Sequence, residues 1–326
     1  MMKTNPTFFQ PPAADPTKSG IENMLELTSL AAIKPDLFTN TRPLYRHPGA
    51  RGIYGGSVIA QCLAAAQKTV PENFDVHSLH CYFLLAGNSE YPITYDVMRV
   101  RDGNSFASRA VNAIQKGSRI FTTSISFVRL NSSKPRTLQH AIPLPDDIRA
   151  ATDDRASTYK VSKDNLTISF QEKISTEPSS KSRPYKVRQR TKSADRISDD
   201  GGSQAHLVAL AFMSDGNFLG TAAVINKLYE SYADQADTSL SRNDREKSKR
   251  DLSMIVSLDH SIYFYEPRKF RADEWIYSEM TSPWVGHGRG VVMQHMFSED
   301  GTLIATCYQE GVLRLSEATS KDSSKL

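Results

Sequence analysis

The chain has few cysteines. Three occur among its 326 residues, Cys62, Cys81 and Cys307, and no two of them form a Cys-x-x-Cys pair. Isolated cysteines in odd number offer neither a disulfide framework nor a zinc site, so we expect free thiols and a reducing intracellular compartment. Cys62 and Cys81 stand among apolar residues, which is typical of thiols in a core.

Long apolar runs and strong charge are also missing. No apolar stretch approaches the roughly 18 residues of a membrane span, and the N-terminus lacks the basic and apolar regions of a secretory signal. The formal net charge of +4 is too small for a dedicated nucleic-acid-binding protein. An anionic small substrate would suit this charge, but ordinary surface charge is the favoured explanation.

Familiar metal and cofactor motifs are absent. The sequence contains no His-Glu-x-x-His, P-loop or EF-hand pattern, and no Gly-x-Ser-x-Gly nucleophile elbow. The glycine-rich stretch 286–290 lacks the strand–loop–helix context of a dinucleotide site and indicates a hairpin or a bulge. The residue patterns therefore predict no metal and no cofactor.

The sequence does contain an internal echo. Residues 76–83 (Val-His-Ser-Leu-His-Cys-Tyr-Phe) are similar to residues 257–264 (Ser-Leu-Asp-His-Ser-Ile-Tyr-Phe). Arg109 follows His80 by 29 positions, and Arg289 follows His260 by the same distance. In each half these residues belong to a similar order of helix, strands and glycine turns, which predicts a duplicated α+β unit.

Each predicted unit contains a helix rich in small apolar residues. The first begins at Gly55 and Gly56 and carries apolar residues at helical spacing as far as Ala66. Its glycines would let a ligand approach the N-terminal amides, where the helix dipole favours negative charge. The second covers 206–219 and is interrupted at Asp215, a carboxylate that either caps the helix end or acts as an acid or base in a cleft.

Composition divides the chain into five parts. We predict a loose N-terminal arm, a first unit, a linker rich in Pro, Ser and basic residues, a second unit with a polar insertion, and an exposed tail; these cover 1–20, 21–132, 133–203, 204–317 (insertion near 229–251) and 318–326. The basic run 181–192 would suit a polyanion, but such runs are more often solvated connectors. The tail ends in Ser324, Lys325 and Leu326, the signal read by the peroxisomal import receptor, so we expect import into the peroxisomal matrix.

Ser257, Asp259 and His260 are the residue types of a hydrolase triad. Side chains alternate along a strand, so Ser257 and Asp259 should face one side and His260 the other. A triad needs all three groups in one hydrogen-bonded line. We therefore predict a structural role for His260, and Gln309 on the last strand has no evident role by itself.

The two halves together resemble the type II acyl-CoA thioesterases, in particular their peroxisomal members. The resemblance covers most of the chain outside the arm, the linker and the insertion. It rests on the segments 55–61, 76–84, 95–97, 101–109, 214–219, 257–261, 282–284 with 289–290, and 309–312. It implies an α+β double hotdog fold, with two repeats that each wrap an antiparallel sheet around a long central helix.

The resemblance also implies catalytic residues. The family's Asp, Ser or Thr, and Gln fall here on Asp215, Ser257 and Gln309, and a further implicated histidine falls on His77. The implied reaction is hydrolysis of fatty acyl-CoA to fatty acid and CoA by a water molecule that the first three side chains hold. Asp215 would be the general base, because it is the only one of the three that is ionised near neutral pH.

Gly55 and Gly56 are the expected substrate-binding residues, since amides at the start of their helix would stabilise the oxyanion that forms on the thioester. The resemblance implies no metal and no redox cofactor. Its implied partners are acyl-CoA, CoA and the peroxisomal import receptor. A monomer and a homo-oligomer both fit a double hotdog.

Two other functions stay open at this point. A hotdog enoyl-CoA hydratase would need an Asp-x-Asn-Pro-x-His type of motif, which the sequence lacks. A non-catalytic acyl-CoA-binding protein would bind acyl-CoA without releasing thiol, and the presence of all three catalytic residue types argues against it. The sequence does not determine the preferred acyl chain length.

Overall fold

A computed structural model describes residues 11–46, 50–130, 138–146, 159–160, 166–175, 185–226, 228 and 252–315. The predicted polar insertion and the Ser-Lys-Leu tail lie outside these residues. The helices are α1 (Gly20–Leu25), α2 (Gly55–Gln67), α3 (Gly202–Ser214) and α4 (Gly220–Ile225). The strands of the first half are β1 (Leu27–Ser29), β2 (Leu37–Asn40), β3 (Phe74–Phe83), β4 (Thr94–Asp102), β5 (Phe106–Gln115) and β6 (Ser118–Arg129).

The remaining strands belong to the second half: β7 (Tyr159–Lys160), β8 (Thr167–Ser175), β9 (Tyr185–Ser193), β10 (Leu252–Ser257), β11 (Asp259–Phe264), β12 (Ile276–Gly286), β13 (Arg289–Phe297) and β14 (Leu303–Leu315). Within the described ranges, no helix has the length and hydropathy needed to cross a membrane.

The strands form one antiparallel sheet that runs through both halves. Its order is β1-β2-β4-β5-β6-β3-β11-β14-β13-β12-β9-β8-β7, and β10 also pairs with β14. The halves meet where β3 pairs with β11, from Asp259 opposite Tyr82 to Tyr263 opposite Ser78. From this junction the strands follow equivalent orders outward, β3-β6-β5-β4 on one side and β11-β14-β13-β12 on the other. The predicted duplication and double hotdog architecture are confirmed.

Helices α2 and α3 pack side by side against the sheet. Each has 13 residues, and small side chains let them approach closely. The ring of Tyr54 meets that of Phe212 edge-on at 4.9 Å, and its hydroxyl donates to the Phe212 carbonyl at 2.8 Å. A Cβ on Gly56 would lie 2.4 Å from the same carbonyl oxygen, so this contact requires glycine. The start of α2 consequently lies against the end of α3.

The matched spacing of His80–Arg109 and His260–Arg289 does not mark equivalent positions. His80 is exposed whereas His260 is fully buried. The two strands are equivalent when Tyr82 is matched with Tyr263, which is one residue away from the match of His80 with His260. A one-residue shift along a strand exchanges the two faces of the sheet, so the two histidines face opposite sides.

Part of the predicted linker belongs to the second unit. Strands β8 and β9 lie inside 133–203, and β9 pairs with β12 from Ile276 opposite Thr191 to Met280 opposite Val187. The basic residues of the run concealed strand β9 because they alternate with buried residues that are mostly polar. These buried residues are Val187, Gln189, Thr191 and Ser193. Such a strand has the period of two but lacks the apolar side chains that usually identify it. Residues 181–184 of the run lie outside the described ranges.

Arg109 is a buried arginine whose guanidinium makes hydrogen bonds in several directions. Its Nε and Nη2 donate to the hydroxyl and carbonyl of Thr69, just after α2, at 2.8 and 2.9 Å. Its Nη1 donates to the carbonyls of Arg101 and Ser108, and its Nη2 to Asp102. These bonds tie the end of α2 to the β4–β5 hairpin.

Replacing Arg109 should destabilise the fold. Arg109→Leu leaves the buried hydroxyl and carbonyl of Thr69 and two partly buried carbonyls without this donor, and should lower the free energy of unfolding by about 3–5 kcal/mol. Urea denaturation measures the change. Arg289→Leu is the matched control, because its side chain is 48% exposed and pairs with Glu310 at the surface; it should cost less than about 1 kcal/mol. Equal losses in the two variants would contradict the structural role of Arg109.

Candidate active site

The end of α3 determines the position of Asp215. The helix stops at Ser214, and the chain then turns through Gly216 to Asn217, whose φ is 58°. Asparagine is one of the few residues that adopt this left-handed conformation readily, and it therefore ends helices. Phe218 follows and is fully buried, which anchors the turn in the core. The predicted helix break is confirmed, and it leaves the Asp215 carboxylate at the C-terminal end of the helix.

Gln309 links the other two side chains that the family resemblance assigned to catalysis, Asp215 and Ser257. Its Nε2 donates to Asp215 Oδ1 at 2.8 Å and to Ser257 Oγ at 3.1 Å. Because an ionised carboxylate only accepts hydrogen bonds, this contact orients the amide with its nitrogen toward Asp215. Gln309 is 1% exposed. Three residues far apart in sequence thus form one hydrogen-bonded cluster.

The first half of the chain supplies the opposite wall of this cluster. The backbone N–H of Gly56 donates to the Asp215 carboxylate. A Cβ on Gly55 would lie 2.8 Å from Asp215 Oδ2 and 2.7 Å from the ring of Phe83, so glycine is required there. The positive end of the α2 dipole therefore faces Asp215. The contact of Gly55 and Gly56 with substrate stays a prediction, and Gly56 has the further role of binding Asp215.

Burial controls the ionisation of Asp215. Its removal from solvent raises the pKa of the carboxyl group to about 6, against the smaller lowering effects of the hydrogen bonds from Gln309 and Gly56. Part of the residue nevertheless remains accessible to solvent. A carboxyl group with this pKa is mostly ionised at neutral pH and is a stronger base than an ordinary aspartate. Asp215 therefore has the properties of a general base that water can reach.

Ser257 does not follow the strict strand alternation that the sequence predicted. β10 ends at Ser257 and β11 begins at Asp259, and their pairing with β14 shifts by one residue between them. Ser257 and His260 consequently both face the helix side, so their predicted opposite orientation is wrong. They still form no catalytic pair, because Ser257 binds Gln309 whereas His260 Nε2 lies 3.1 Å from Ser214 Oγ.

His77 lies away from the cluster. Its Nε2 is 2.8 Å from Ser126 Oγ, and its ring contacts Phe106 edge-on at 5.6 Å between centroids. Burial lowers the pKa of His77, and the nearby His80 lowers it further. Phe83, the β3 residue that touches Gly55, is six residues further along the strand, a distance of about 20 Å. The structure therefore does not bring His77 to Asp215.

Sequence analysis missed three residues that shape the site. Phe83 closes the side of Gly55, Tyr54 fixes the start of α2 against α3, and Ser214 connects the end of α3 to β11. Phe83 lies in the echo segment 76–83, which was a signal for it. Ser214 lies in the family-like segment 214–219, whereas Tyr54 carries no signal, and the contacts of both join residues more than 40 positions apart.

The described residues contain no group of three or more His, Cys, Asp or Glu side chains arranged to hold a metal ion. Two buried cysteines, Cys81 and Cys307, lie close enough to Asp215 for its negative charge to affect their ionisation. Burial is the main cause that raises the pKa of both thiols, and Asp215 raises it further. Both are therefore protonated at neutral pH and poor nucleophiles. The carboxylate, hydroxyl and amide of the cluster are suited to activating a water molecule.

Comparison with known proteins identifies the family. Residues 43–128 match the model of the acyl-CoA thioesterase N-terminal domain, and residues 145–313 match that of the acyl-CoA thioesterase C-terminal domain. The chain belongs to the acyl-CoA thioesterase family. The second match includes β8 and β9, in agreement with their place in the second unit of this thioesterase.

Individual thioesterases are similar over most of the chain. Acyl-coenzyme A thioesterase 8 of Mus musculus is 32% identical over 332 residues, which cover 93% of each protein. The crystal structure of an acyl-CoA thioesterase II from Mycobacterium marinum is 29% identical, with a TM-score of 0.67 over 92% of this chain and 98% of that one. Peroxisomal acyl-coenzyme A thioester hydrolase 1 of Saccharomyces cerevisiae is 35% identical over 130 residues, 40% of this chain and 37% of that protein.

The raised pKa of Asp215 should make the contribution of this residue to the stability of the thioesterase fall as pH rises from about 4 to 6. The folded protein keeps a proton on Asp215 that the unfolded chain has already released, so this residue's contribution to the free energy of unfolding decreases across this interval. The shift from 3.8 to about 6 corresponds to about 3 kcal/mol. Asp215→Asn should therefore gain stability relative to wild type between about pH 4.5 and pH 7, as measured by urea denaturation.

Asp199→Asn is the control for this measurement. The Asp199 carboxyl is exposed, and hydrogen bonding to Arg271 is the main cause that lowers its pKa. Loss of this carboxylate should reduce stability at neutral pH rather than increase it, which is the opposite sign. A stability difference between wild type and Asp215→Asn that is independent of pH would contradict the burial of an ionisable group at this position.

Proposed function

We propose that the chain hydrolyses fatty acyl-CoA to a free fatty acid and CoA, with Asp215, Ser257 and Gln309 holding the attacking water. The observation that carries the proposal is the sharing of Gln309 Nε2 between Asp215 and Ser257. This sharing holds a base and a hydroxyl group together, beside the first turn of α2. The three relatives described above are named as acyl-CoA thioesterases or as an acyl-coenzyme A thioester hydrolase, which supports the substrate class.

In the first step, ionised Asp215 accepts a proton from the water while the water oxygen attacks the thioester carbonyl carbon. Ser257 Oγ accepts a hydrogen bond from Gln309, so its own hydroxyl hydrogen can donate to the water and orient a lone pair toward the substrate. We assign the developing oxyanion to the first turn of α2, where the helix dipole stabilises negative charge.

In the second step, the tetrahedral intermediate collapses. The carbonyl bond re-forms, the C–S bond breaks, and CoA leaves as a thiolate. The proton held by Asp215 passes to the thiolate or to solvent, which restores the base. A thiolate is a good leaving group, so the reaction needs no strong general acid.

Attack by water is favoured over an acyl-enzyme on Ser257. A serine nucleophile needs a base that removes its proton, usually an imidazole held by a third group. In the described part of the chain, Ser257 accepts a hydrogen bond from an amide, and the neighbouring His260 binds Ser214 instead. Ser257 is therefore placed to orient a water molecule.

We also infer that the enzyme acts in the peroxisomal matrix. The motif Ser324-Lys325-Leu326 is read by the peroxisomal import receptor. A relative from Saccharomyces cerevisiae whose name includes a peroxisomal location supports this inference. Assembly into a homo-oligomer stays a prediction.

Substitutions in the cluster should abolish or weaken thiol release. Asp215→Asn should lower kcat/KM by about 10³-fold or more because it removes the base, and Gln309→Leu by about 10²-fold because it releases both partners. Ser257→Ala should cost about tenfold to 10²-fold. The assay follows free CoA thiol from short, medium, long and branched acyl-CoAs. Wild-type kcat/KM should rise with pH through about 6 as Asp215 ionises.

Ser261→Ala is the matched control for Ser257→Ala. Ser261 is on the same segment, but its hydroxyl lies 2.9 Å from His80 Nδ1 on the opposite face of the sheet. The activity of Ser261→Ala should equal that of wild type. Full activity in folded Asp215→Asn would overturn the assignment of the base, and a stoichiometric burst of thiol with acylated protein would overturn direct attack by water. Tight binding of acyl-CoA without thiol release would favour the binding-protein alternative.

Deletion of residues 324–326 should redirect the protein to the cytosol. In cells, the full chain fused at its N-terminus to a fluorescent protein should co-localise with a peroxisomal marker, because the receptor reads a C-terminal tripeptide of this sequence. The deleted form should be diffuse. Peroxisomal localisation of the deleted form would contradict the role of the tripeptide.

A further inference from the structure

The segment Ser257-Leu258-Asp259-His260 contacts β14, the end of β3 and the end of α3, three of the elements around the cluster. Only Ser257 belongs to the cluster itself. Leu258 donates its N–H to the carbonyl of Glu310 and accepts a hydrogen bond from the N–H of Phe83, both at 2.9 Å. The segment is therefore bound to β14 and to the end of β3 through one backbone residue.

Asp259 holds the strand that carries Gln309. Its Oδ1 accepts a hydrogen bond from the backbone N–H of Glu310 at 2.7 Å. Together with the bond from Leu258, both backbone groups of Glu310 are bound to this segment. Glu310 directly follows Gln309, so these bonds fix the backbone from which the Gln309 side chain extends.

His260 holds the end of α3 that carries Asp215. The hydroxyl of Ser214 donates to the Ala211 carbonyl at 2.9 Å, and its oxygen lies 3.1 Å from His260 Nε2. Since a hydroxyl group has one hydrogen, His260 is the donor to Ser214, and the ring carries its proton on Nε2. Both residues are fully buried, and Phe218 packs edge-on against the imidazole at 5.6 Å.

We propose that Asp259 and His260 are positioning residues for hydrolysis: Asp259 orients Gln309 through Glu310, and His260 orients Asp215 through Ser214. The positions of Gln309 and Asp215 then both depend on the short segment that also contains Ser257. The inference rests on the proposed function, because it concerns the geometry of the same three catalytic residues. Neither positioning residue touches the substrate or the water.

Loss of either link should lower kcat more than it changes KM. His260→Phe keeps a planar ring but cannot donate to Ser214, and it should reduce kcat about tenfold to 10²-fold, since displacement of a catalytic group by about 1 Å has effects of this size. His260→Gln restores an N–H donor and should recover most of the activity. Asp259→Ala should lower kcat about tenfold, whereas Asp259→Asn, which retains an acceptor for the Glu310 N–H, should stay within about twofold of wild type.

A double-mutant cycle tests whether His260 acts through Ser214. Ser214→Ala alone should lower kcat about as much as His260→Phe, and the double variant should be no worse than the more affected single variant. Ser214→Ala also serves if His260→Phe does not fold, because it removes the same link without altering β11. Ile262→Val is the control for a general core defect. Ile262 is fully buried two residues along the same strand, and its truncation should leave kcat unchanged.

The outcomes separate this inference from the proposed function. If wild type releases no thiol, the proposed function fails, and if Asp215→Asn retains full activity, the assignment of Asp215 as the base fails. If wild type and Asp215→Asn behave as expected but folded His260→Phe and Asp259→Ala keep the wild-type kcat, only the positioning roles are overturned. A lower melting temperature with unchanged kcat, or multiplicative effects in the double-mutant cycle, would equally overturn them.

Discussion

The pairing of β3 with β11 is the contact on which both the fold and the cluster depend. It joins the strands of the two halves into one sheet, and buried Leu79 and Ile262 stand opposite each other within it. Because the units are related by duplication, the same pairing sets α2 antiparallel to α3, with the start of one against the end of the other. The Asp215 carboxylate then accepts a hydrogen bond from the backbone N–H of Gly56 in the other half. All three cluster residues lie in the second half, but the first half supplies the helix start that faces Asp215, so separating the halves would remove the base from the helix start that stabilises it.

Duplication alone would produce two equivalent sites, and the sequence shows why only one exists. α2 and α3 have equal lengths, so the residue that follows α2, Lys68, corresponds to Asp215. The one-residue register shifts near His77 and Leu258 align Val76 with Ser257. The counterpart of Gln309 is Ile125, since Cys81–Thr123 and Ile262–Cys307 are equivalent strand pairs. A lysine and two apolar side chains cannot hold and deprotonate a water molecule. At that end of the helix pair α1 packs instead, with Ile21 and Leu25 buried, beside a groove of about 510 Å³.

Sequence patterns were sufficient where structure follows local periodicity. They predicted the duplication, the break in α3 at Asp215 and the strand with Ser257, and the family resemblance supplied the three residues that the structure brings together. They failed where a register shift or a contact between distant residues determines the position of a side chain or a strand. The irregularity at Leu258 turned Ser257 toward the helix side, and alternation alone cannot show an extra residue in a strand. β8 and β9 were missed because their inner face is mostly polar. The bond between Gly56 and Asp215 depends on helix packing that no local pattern contains.

The strength of Asp215 as a base reflects a balance between burial and hydrogen bonding. Burial raises the pKa and favours the protonated carboxyl group, and each hydrogen bond to the ionised form lowers the pKa. Gln309 is suited to this balance because it is neutral and divides its two N–H groups between Asp215 and Ser257. An arginine in its place would pair a full positive charge with Asp215 and lower the pKa well below 6, which would weaken the base. An apolar residue would leave the carboxylate with fewer donors and favour the protonated form at neutral pH. A shared neutral amide therefore satisfies both requirements, an ionised carboxylate and one that still accepts a proton from water.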